Sequence, residues 1–90
     1  MMFTERPPAV EISIEYCVTC NYRPIAAALA LAIKEAVNNT PELRPSHEMG
    51  AFEVRVDGET VFSKKGSGRF PDRGEVIEIL RGRAGRDRGI

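Results

Sequence analysis

The hydrophobic residues near the start of the chain follow two different periods. Up to residue 16 they alternate with polar residues, and the apolar members are Val10, Ile12, Ile14 and Tyr16. This period of two predicts a strand that buries one face and ends at Cys17. From about residue 21 or 22 to about residue 38, apolar residues recur at every fourth position, as Ile25, Leu29, Ile33 and Val37. That stripe predicts an amphipathic helix with Pro24 in its first turn.

The middle of the chain predicts a weak strand followed by a hairpin. Residues 42–48 can form a strand, but Pro45 restricts it to an edge of a sheet because proline donates no ladder hydrogen bond. Residues 50–65 alternate more clearly on both sides of Asp57 and Gly58, a pair that favours a type I′ turn. We therefore expect two antiparallel strands joined by a two-residue loop.

A two-residue loop also predicts which residues of the hairpin face each other. Val56 would lie opposite Glu59, and Val54 would lie opposite Val61. Phe62 would then fall on the polar, solvent-exposed face of the sheet. In that position it would either cover a small apolar patch or meet a partner.

The last third of the chain predicts one more helix. Residues 66–69 form a glycine-rich connector, and Asp72 with Glu75 three positions later resembles a capping box before an apolar run. After residue 80 the chain is rich in glycine and arginine, so we expect residues 81–90 to form a flexible tail. The expected organisation is an N-terminal extension over residues 1–9, one domain over residues 10–80 and this tail.

The predicted order is β-α-β-β-β-α. The first helix can connect two parallel strands as a right-handed crossover. Because the strands alternate apolar with polar residues, one face of the sheet should meet water and both helices should cover the other. The fold class is therefore an α/β two-layer sandwich.

Size and charge narrow the classes of function. A chain of 90 residues has room for one domain. Its 13 basic and 13 acidic residues balance, so no overall field attracts it to nucleic acid or to anionic lipid. The longest apolar run, residues 25–33, is too short to span a membrane. The N-terminus lacks the pattern of a signal peptide, so we expect a cytoplasmic protein in which a permanent disulfide is disfavoured.

Cys17 and Cys20 are the only cysteines, and their spacing has four interpretations. A structural zinc site needs four ligands, which His47 and scattered carboxylates do not readily complete, so we expect no metal. A permanent disulfide would close a very short loop and stabilise little. Two inert buried sulfurs would be expected inside a regular element. A redox pair fits best, because the two residues lie at a strand-to-helix junction.

A redox pair at this junction has a simple chemical basis. The N–H groups at the start of a helix favour a thiolate, and Arg23 adds a positive charge nearby. Cys17 leaves the strand first and is expected to be the more exposed sulfur. This argument makes Cys17 the attacking thiol and Cys20 the resolving thiol.

Three sequence blocks resemble those of the Rdx family, which groups selenoproteins W, T and H with their cysteine-containing relatives. The first is "EISIEYCVTCNYRP" at residues 11–24, the second is "GAFEVRVDGETVFSKK" at residues 50–65, and the third is "GRFPD" at residues 68–72. They occur in the same order as in the family and span about residues 10–80. Together they are far more specific than the cysteine pair alone.

The resemblance implies a thioredoxin-like fold with strand order 2-1-3-4 and a thiol–disulfide role. Glutathione or protein disulfides are the partners it suggests, with no bound cofactor. Cys20 matches the position that is selenocysteine in some members, which favours Cys20 as the attacking residue and leaves the order of the two sulfurs open. Residues 46–51 stand roughly where thioredoxins place a cis-proline, so substrate docking should differ.

Some alternatives remain open at this level. The cysteine loop can instead mark a redox-sensitive protein-binding module without turnover. Weaker candidates for partner contact are Tyr22, Arg23 and Phe70, and residues 64–69 can bind an anion but are more simply a solvated turn. The arginines of the tail can contact nucleic acid, although the zero net charge argues against it. Exposed sheet edges make a homodimer plausible.

Overall fold

One sheet and three helices form the part of the chain that the structure describes. The structure is a computed structural model, which describes the backbone of residues 11–88 and the side chains of residues 11–82. The elements are β1 (Ile12–Cys17), α1 (Arg23–Val37), β2 (Glu42–Ser46), β3 (Phe52–Val56), β4 (Glu59–Ser63), α2 (Lys64–Ser67) and α3 (Arg73–Arg88). Residues 1–10, including the predicted N-terminal extension, lie outside the described residues.

The strand order is β2-β1-β3-β4, as the resemblance implied. β1 pairs in parallel with β2 and antiparallel with β3, and β3 pairs antiparallel with β4. β2 is an edge strand, so Pro45, which lies opposite Tyr16, leaves the other strand pairs intact. The sequence-based prediction of a four-stranded mixed sheet with a proline-containing edge is confirmed.

The core lies between one face of the sheet and the helices α1 and α3. Its buried strand residues are Ile12, Ile14, Tyr16, Phe52, Val54, Val56 and Phe62, and its helical residues are Ala26, Leu29, Ile33, Val76 and Leu80.

Ile25 does not belong to this core, because 40% of its surface is exposed. The buried face of α1 runs through Ala26, Leu29 and Ile33, and Ile25, in the first turn, lies at the edge of this face. The prediction that Ile25 belongs to the apolar stripe is therefore wrong.

The hairpin has the predicted turn but not the predicted register. Asp57 and Gly58 both have positive φ, at 53° and 84°, as a type I′ turn requires. Val56 pairs with Glu59, whereas Val54 pairs with Phe62 because a bulge shifts the register between Val54 and Arg55.

The bulge reverses the expected environment of Phe62. The extra residue of β4 is Val61, which is half-buried. Phe62 consequently turns to the core, where it is 7% exposed. The predictions that Phe62 is exposed to solvent and that it can meet a partner are therefore wrong.

Polar side chains cover the other face of the sheet, as the alternation predicted. Glu15 and Glu53 lie directly opposite each other on β1 and β3. Arg55 joins them, with its Nη1 2.6 Å from Glu15 and its Nη2 2.5 Å from Glu53. The hydrogen bond from Arg55 holds the pKa of Glu15 below its ordinary value of 4.5, and Ser46 adds to this effect. Like charges opposite each other would otherwise destabilise the strand pair.

This cluster predicts a pH-dependent contribution to stability. We expect Arg55→Met to lower the free energy of unfolding by about 1 kcal/mol at pH 7, since two facing carboxylates lose their shared partner. Because the pKa of Glu15 is lowered in the folded state, the contribution is fully present above pH 4.5 and is lost as pH falls through that lowered value. Urea unfolding of both proteins between pH 7 and pH 3 should show the difference closing.

Arg44→Met is the matched control for this experiment. Arg44 also pairs with a glutamate, Glu42, but both side chains are more than half exposed. Its substitution should change the free energy of unfolding by less than about 0.5 kcal/mol. An Arg55→Met effect that stays constant down to pH 3 would show that the charge cluster is not its source.

The connection to the last helix is more regular than its glycines suggest. Residues 64–67 form the helical turn α2, whose first residue follows Ser63, and the Ser63 hydroxyl accepts a hydrogen bond from the Gly66 N–H at 3.3 Å. Gly68 ends the turn with a φ of 80°. The first two residues of the predicted glycine-rich connector over residues 66–69 are therefore helical, because a serine cap and a left-handed glycine close a local turn.

α3 begins at Arg73, directly after the predicted cap Asp72, but extends further than the sequence predicted. The Asp72 N–H donates to the Glu75 carboxylate at 3.4 Å, which is one half of the predicted capping box. The helix continues past Leu80 through Arg88, so the backbone of most of the expected tail is helical. The division into a domain over residues 10–80 and a flexible tail stays a prediction.

Candidate redox site

Cys17 and Cys20 meet where β1 ends. Cys17 is the last residue of β1, and the next residues turn back before α1 begins at Arg23. The two sulfurs are at disulfide distance, and the Cα atoms are 5.3 Å apart. Asn21 has a φ of 61°, which allows the chain to leave the loop and enter the helix. The sequence prediction that both cysteines lie at a strand-to-helix junction is confirmed.

The two sulfurs differ in exposure, in the opposite sense to the sequence argument. Cys17 is completely buried, at 0% exposure, whereas Cys20 is partly exposed. Cys17 lies between two other segments, since its N–H bonds to the Ala51 carbonyl at 2.8 Å and its Cα lies opposite Ser46 of β2. The expectation that Cys17 is the more exposed sulfur is therefore wrong.

Backbone donors near the sulfurs do not come from the start of α1. The Cys20 N–H donates to the Cys17 sulfur at 3.2 Å, and the Gly50 N–H donates to the Cys20 sulfur at 3.3 Å. The Thr19 hydroxyl lies 3.4 Å from the Cys17 sulfur. Such donors favour negative charge on sulfur. Because α1 begins three residues after Cys20, these local amides replace the helix end that the sequence argument invoked.

The segment 46–51 packs against the cysteine loop. The Val18 N–H bonds to the Ser46 carbonyl at 3.1 Å, which fixes one side of the segment. On the other side the Met49 sulfur lies 3.8 Å from the Cys20 sulfur, beside the Gly50 amide. Met49 is 72% exposed, so the Cys20 sulfur is bordered on this side by an apolar side chain that faces solvent.

Sequence reasoning placed residues 46–51 near the active site but assigned no role to Met49 or Gly50. A signal for Gly50 existed, because it opens the second of the three family-like blocks and has a φ of 78°. No local pattern distinguishes Met49. Its position beside Cys20 depends on the packing of two segments 29 residues apart.

Three aromatic rings connect the site to the rest of the core. Tyr22 and Phe70 pack edge to face with centroids 4.8 Å apart, and Phe52 lies 5.2 Å from Phe70. The Lys64 ammonium lies 5.2 Å from the centre of the Phe70 ring and 5.8 Å from that of Tyr22. Two of the residues predicted for partner contact, Tyr22 and Phe70, are thus brought together, and their role stays a prediction.

Other candidates lie outside this cluster. Arg23 is exposed, and among the described residues its side chain makes no hydrogen bond or ion pair with either cysteine. His47 is exposed as well. Within residues 11–82 no group of three or more histidine, cysteine, aspartate or glutamate side chains is placed to hold a metal ion. The described helices include none that is long and apolar enough to cross a membrane.

Comparison with known proteins supports the sequence resemblance. The model of the Rdx family matches residues 11–82. Migration and invasion enhancer 1 from Bos taurus is 36% identical over 78 residues, which cover 87% of this chain and 68% of the relative. The protein of the same name from Mus musculus is 34% identical over 77 residues, covering 86% of this chain and 67% of the relative.

Solved structures share the fold. The crystal structure of a selenoprotein W-related protein from Vibrio cholerae superposes with a TM-score of 0.78, at 24% identity, covering 83% of this chain and 96% of the other. A structure from Bordetella parapertussis has a TM-score of 0.78 at 22% identity, covering 82% of this chain and 96% of the other. The predicted thioredoxin-like, two-layer α/β architecture is confirmed.

Proposed function

This chain belongs to the Rdx family, and we propose that it is a thiol–disulfide redox protein that acts through Cys17 and Cys20. The observation that carries the proposal is the placement of the two sulfurs within bonding distance, one buried and one partly exposed, at a strand-to-helix junction. The family supports a redox-related role. The direction of exchange and the partner belong to the proposal.

The geometry favours Cys20 as the attacking residue. Its sulfur is partly exposed and accepts the Gly50 N–H, a contact that would stabilise negative charge on this sulfur once the pair is reduced. Attack on a partner disulfide forms a bond between Cys20 and one partner sulfur, while the other partner sulfur leaves as a thiolate and takes a proton.

Cys17, the buried member of the pair, then completes the exchange. Its thiolate attacks the Cys20 sulfur, the Cys17–Cys20 disulfide forms, and the second partner sulfur is released as a thiol after protonation. In total the partner disulfide gains two electrons and two protons, and the two cysteines lose them. The buried position of Cys17 suits this internal step, because it never needs to reach the partner.

The proposed partners are protein disulfides or glutathione. A thiol such as reduced glutathione would return the Cys17–Cys20 disulfide to the dithiol, by the same steps in reverse. This cycle requires a compartment with a pool of reduced thiols, which is the basis for proposing the cytoplasm.

A redox titration against glutathione tests this proposal. We expect one disulfide per chain to form reversibly, with a reduction potential between roughly −180 and −300 mV, where exchange with cellular thiols is balanced. Intact-mass analysis after alkylation at each glutathione ratio gives the oxidised fraction. A Cys17→Ser/Cys20→Ser double variant is the control and should remain unchanged. A pair that stays reduced or stays oxidised across the whole glutathione range would overturn the proposal.

A redox-sensitive binding module without turnover is the second candidate. The observation in its favour is the exposure of two apolar side chains in the segments that contain or contact the pair, Val18 at 46% and Met49 at 72%. Partner binding that survives removal of both cysteines, together with a failed glutathione titration, would favour this candidate over exchange.

A further inference from the structure

Three sulfur atoms from two segments converge at the cysteine loop. Cys17 and Cys20 are at disulfide distance, and the Met49 sulfur lies 3.8 Å from the Cys20 sulfur. Thiolate and thioether sulfurs are soft ligands, which suit Cu(I), zinc and iron–sulfur clusters, and a thioether among them favours Cu(I) over zinc. We propose that the reduced protein binds one Cu(I) ion through Cys17, Cys20 and Met49.

The spacing of the sulfurs suits a three-coordinate ion. Three sulfurs that each lie about 2.3 Å from a metal in one plane are separated by about 4 Å, taking the zinc–thiolate length as a guide. The 3.8 Å between Cys20 and Met49 matches one edge of that triangle. Reduction breaks the bond between the two cysteine sulfurs, which can then separate to form the remaining edges while their Cα atoms stay about as close as the present 5.3 Å.

The surroundings supply an entry path and support for the negative charge. Met49 is 72% exposed and Cys20 is partly exposed, so an ion can reach the site from solvent before it contacts the buried Cys17. Two thiolates and one Cu(I) carry a net charge of −1. The Gly50 and Cys20 amides donate to the two cysteine sulfurs and thus supply outer hydrogen bonds to both ligands.

The same set is a poor site for zinc. A structural zinc ion takes four nitrogen, thiolate or carboxylate ligands, and Met49 is not one of these. No third histidine, cysteine, aspartate or glutamate accompanies the pair within residues 11–82. The inference is therefore specific to an ion that accepts three sulfurs. Binding displaces up to two thiol protons, and oxidation of the pair to a disulfide removes the site.

Competition for Cu(I) with the chromophoric chelator bicinchoninate tests the proposal. The affinity is measured on the reduced full chain in the absence of oxygen. We expect one Cu(I) per chain. The Met49→Leu variant should lower the affinity at least about tenfold, the loss that removal of even an outer-shell partner causes. Leu31→Ala, which shortens an exposed apolar side chain of α1, is the control and should leave the affinity unchanged. Cys20→Ser should lose the site.

X-ray absorption at the copper edge identifies the ligands. We expect three sulfurs around copper in the unaltered chain and two in Met49→Leu. A shell of two sulfurs and one nitrogen that disappears in His47→Gln would overturn the assignment of Met49. Equal Cu(I) affinity of Met49→Leu and the unaltered chain would also overturn the assignment of Met49. If the unaltered chain bound Cu(I) no more tightly than Cys20→Ser, the site as a whole would be overturned. The glutathione titration is carried out without copper, so a failure of the proposed redox function can be distinguished from a failure of the copper site.

Discussion

Replacing Cys17 by serine should trap a covalent adduct on Cys20, whereas replacing Cys20 by serine should give no adduct. The partly exposed Cys20 is the sulfur that an incoming disulfide can approach, and Cys17 is completely buried. In the Cys17→Ser variant the mixed disulfide forms but has no second thiolate to resolve it. In the Cys20→Ser variant the remaining sulfur is inaccessible, so the first step does not occur.

Intact-mass analysis of reduced variants mixed with glutathione disulfide measures both outcomes. The expected result is a gain of one glutathionyl group on Cys17→Ser and none on Cys20→Ser. The unaltered chain should pass through the adduct to the internal disulfide, and the double serine variant reports non-specific labelling. Circular dichroism confirms that each variant is folded. An adduct on Cys20→Ser alone would assign the attack to Cys17, and an adduct on neither folded variant would refute exchange at this pair.

The order of the two sulfurs shows where sequence reasoning about the site reaches its limit. The spacing of Cys17 and Cys20 and their place between a strand and a helix follow from local patterns. Their exposure does not, because Cys17 is buried where it pairs with Ser46 and bonds to the Ala51 carbonyl, contacts with two other segments. Those contacts depend on how β2 and the segment before β3 pack on β1. For the same reason no local pattern pointed to Met49, whose sulfur reaches Cys20 only in the folded chain.

The features of the fold also separate into those that local sequence patterns predict and those that depend on tertiary packing. Period-two alternation, the Asp57–Gly58 turn and Pro45 were sufficient to predict four strands and an edge. The parallel pairing was expected because α1 connects the strands. The register of β4 could not be predicted, because the bulge at Val61 inserts one residue without a local sequence marker. A slip of one residue exchanges the faces of a strand, which is why Phe62 was assigned to the wrong side.

This exchange of faces gives the largest effect on stability that we expect. Phe62 is 7% exposed and belongs to the core, so Phe62→Ala should lower the free energy of unfolding by about 3–5 kcal/mol. A domain of this kind has about 5–15 kcal/mol of stability in total, so the loss would be a large fraction. Val61→Ala should cost only about 1 kcal/mol, because this side chain is half-buried.

Comparison of the two variants by urea unfolding distinguishes the two registers. The bulged register predicts that Phe62→Ala is the more destabilising change. The regular register, in which Val61 faces Val54 and Phe62 faces water, predicts the reverse. Leu31→Ala is the control for removal of an exposed apolar side chain, since Leu31 is 57% exposed, and it should change stability by less than about 0.5 kcal/mol. If Phe62→Ala resembled Leu31→Ala and Val61→Ala did not, the bulge would be absent and β4 would present Phe62 to solvent.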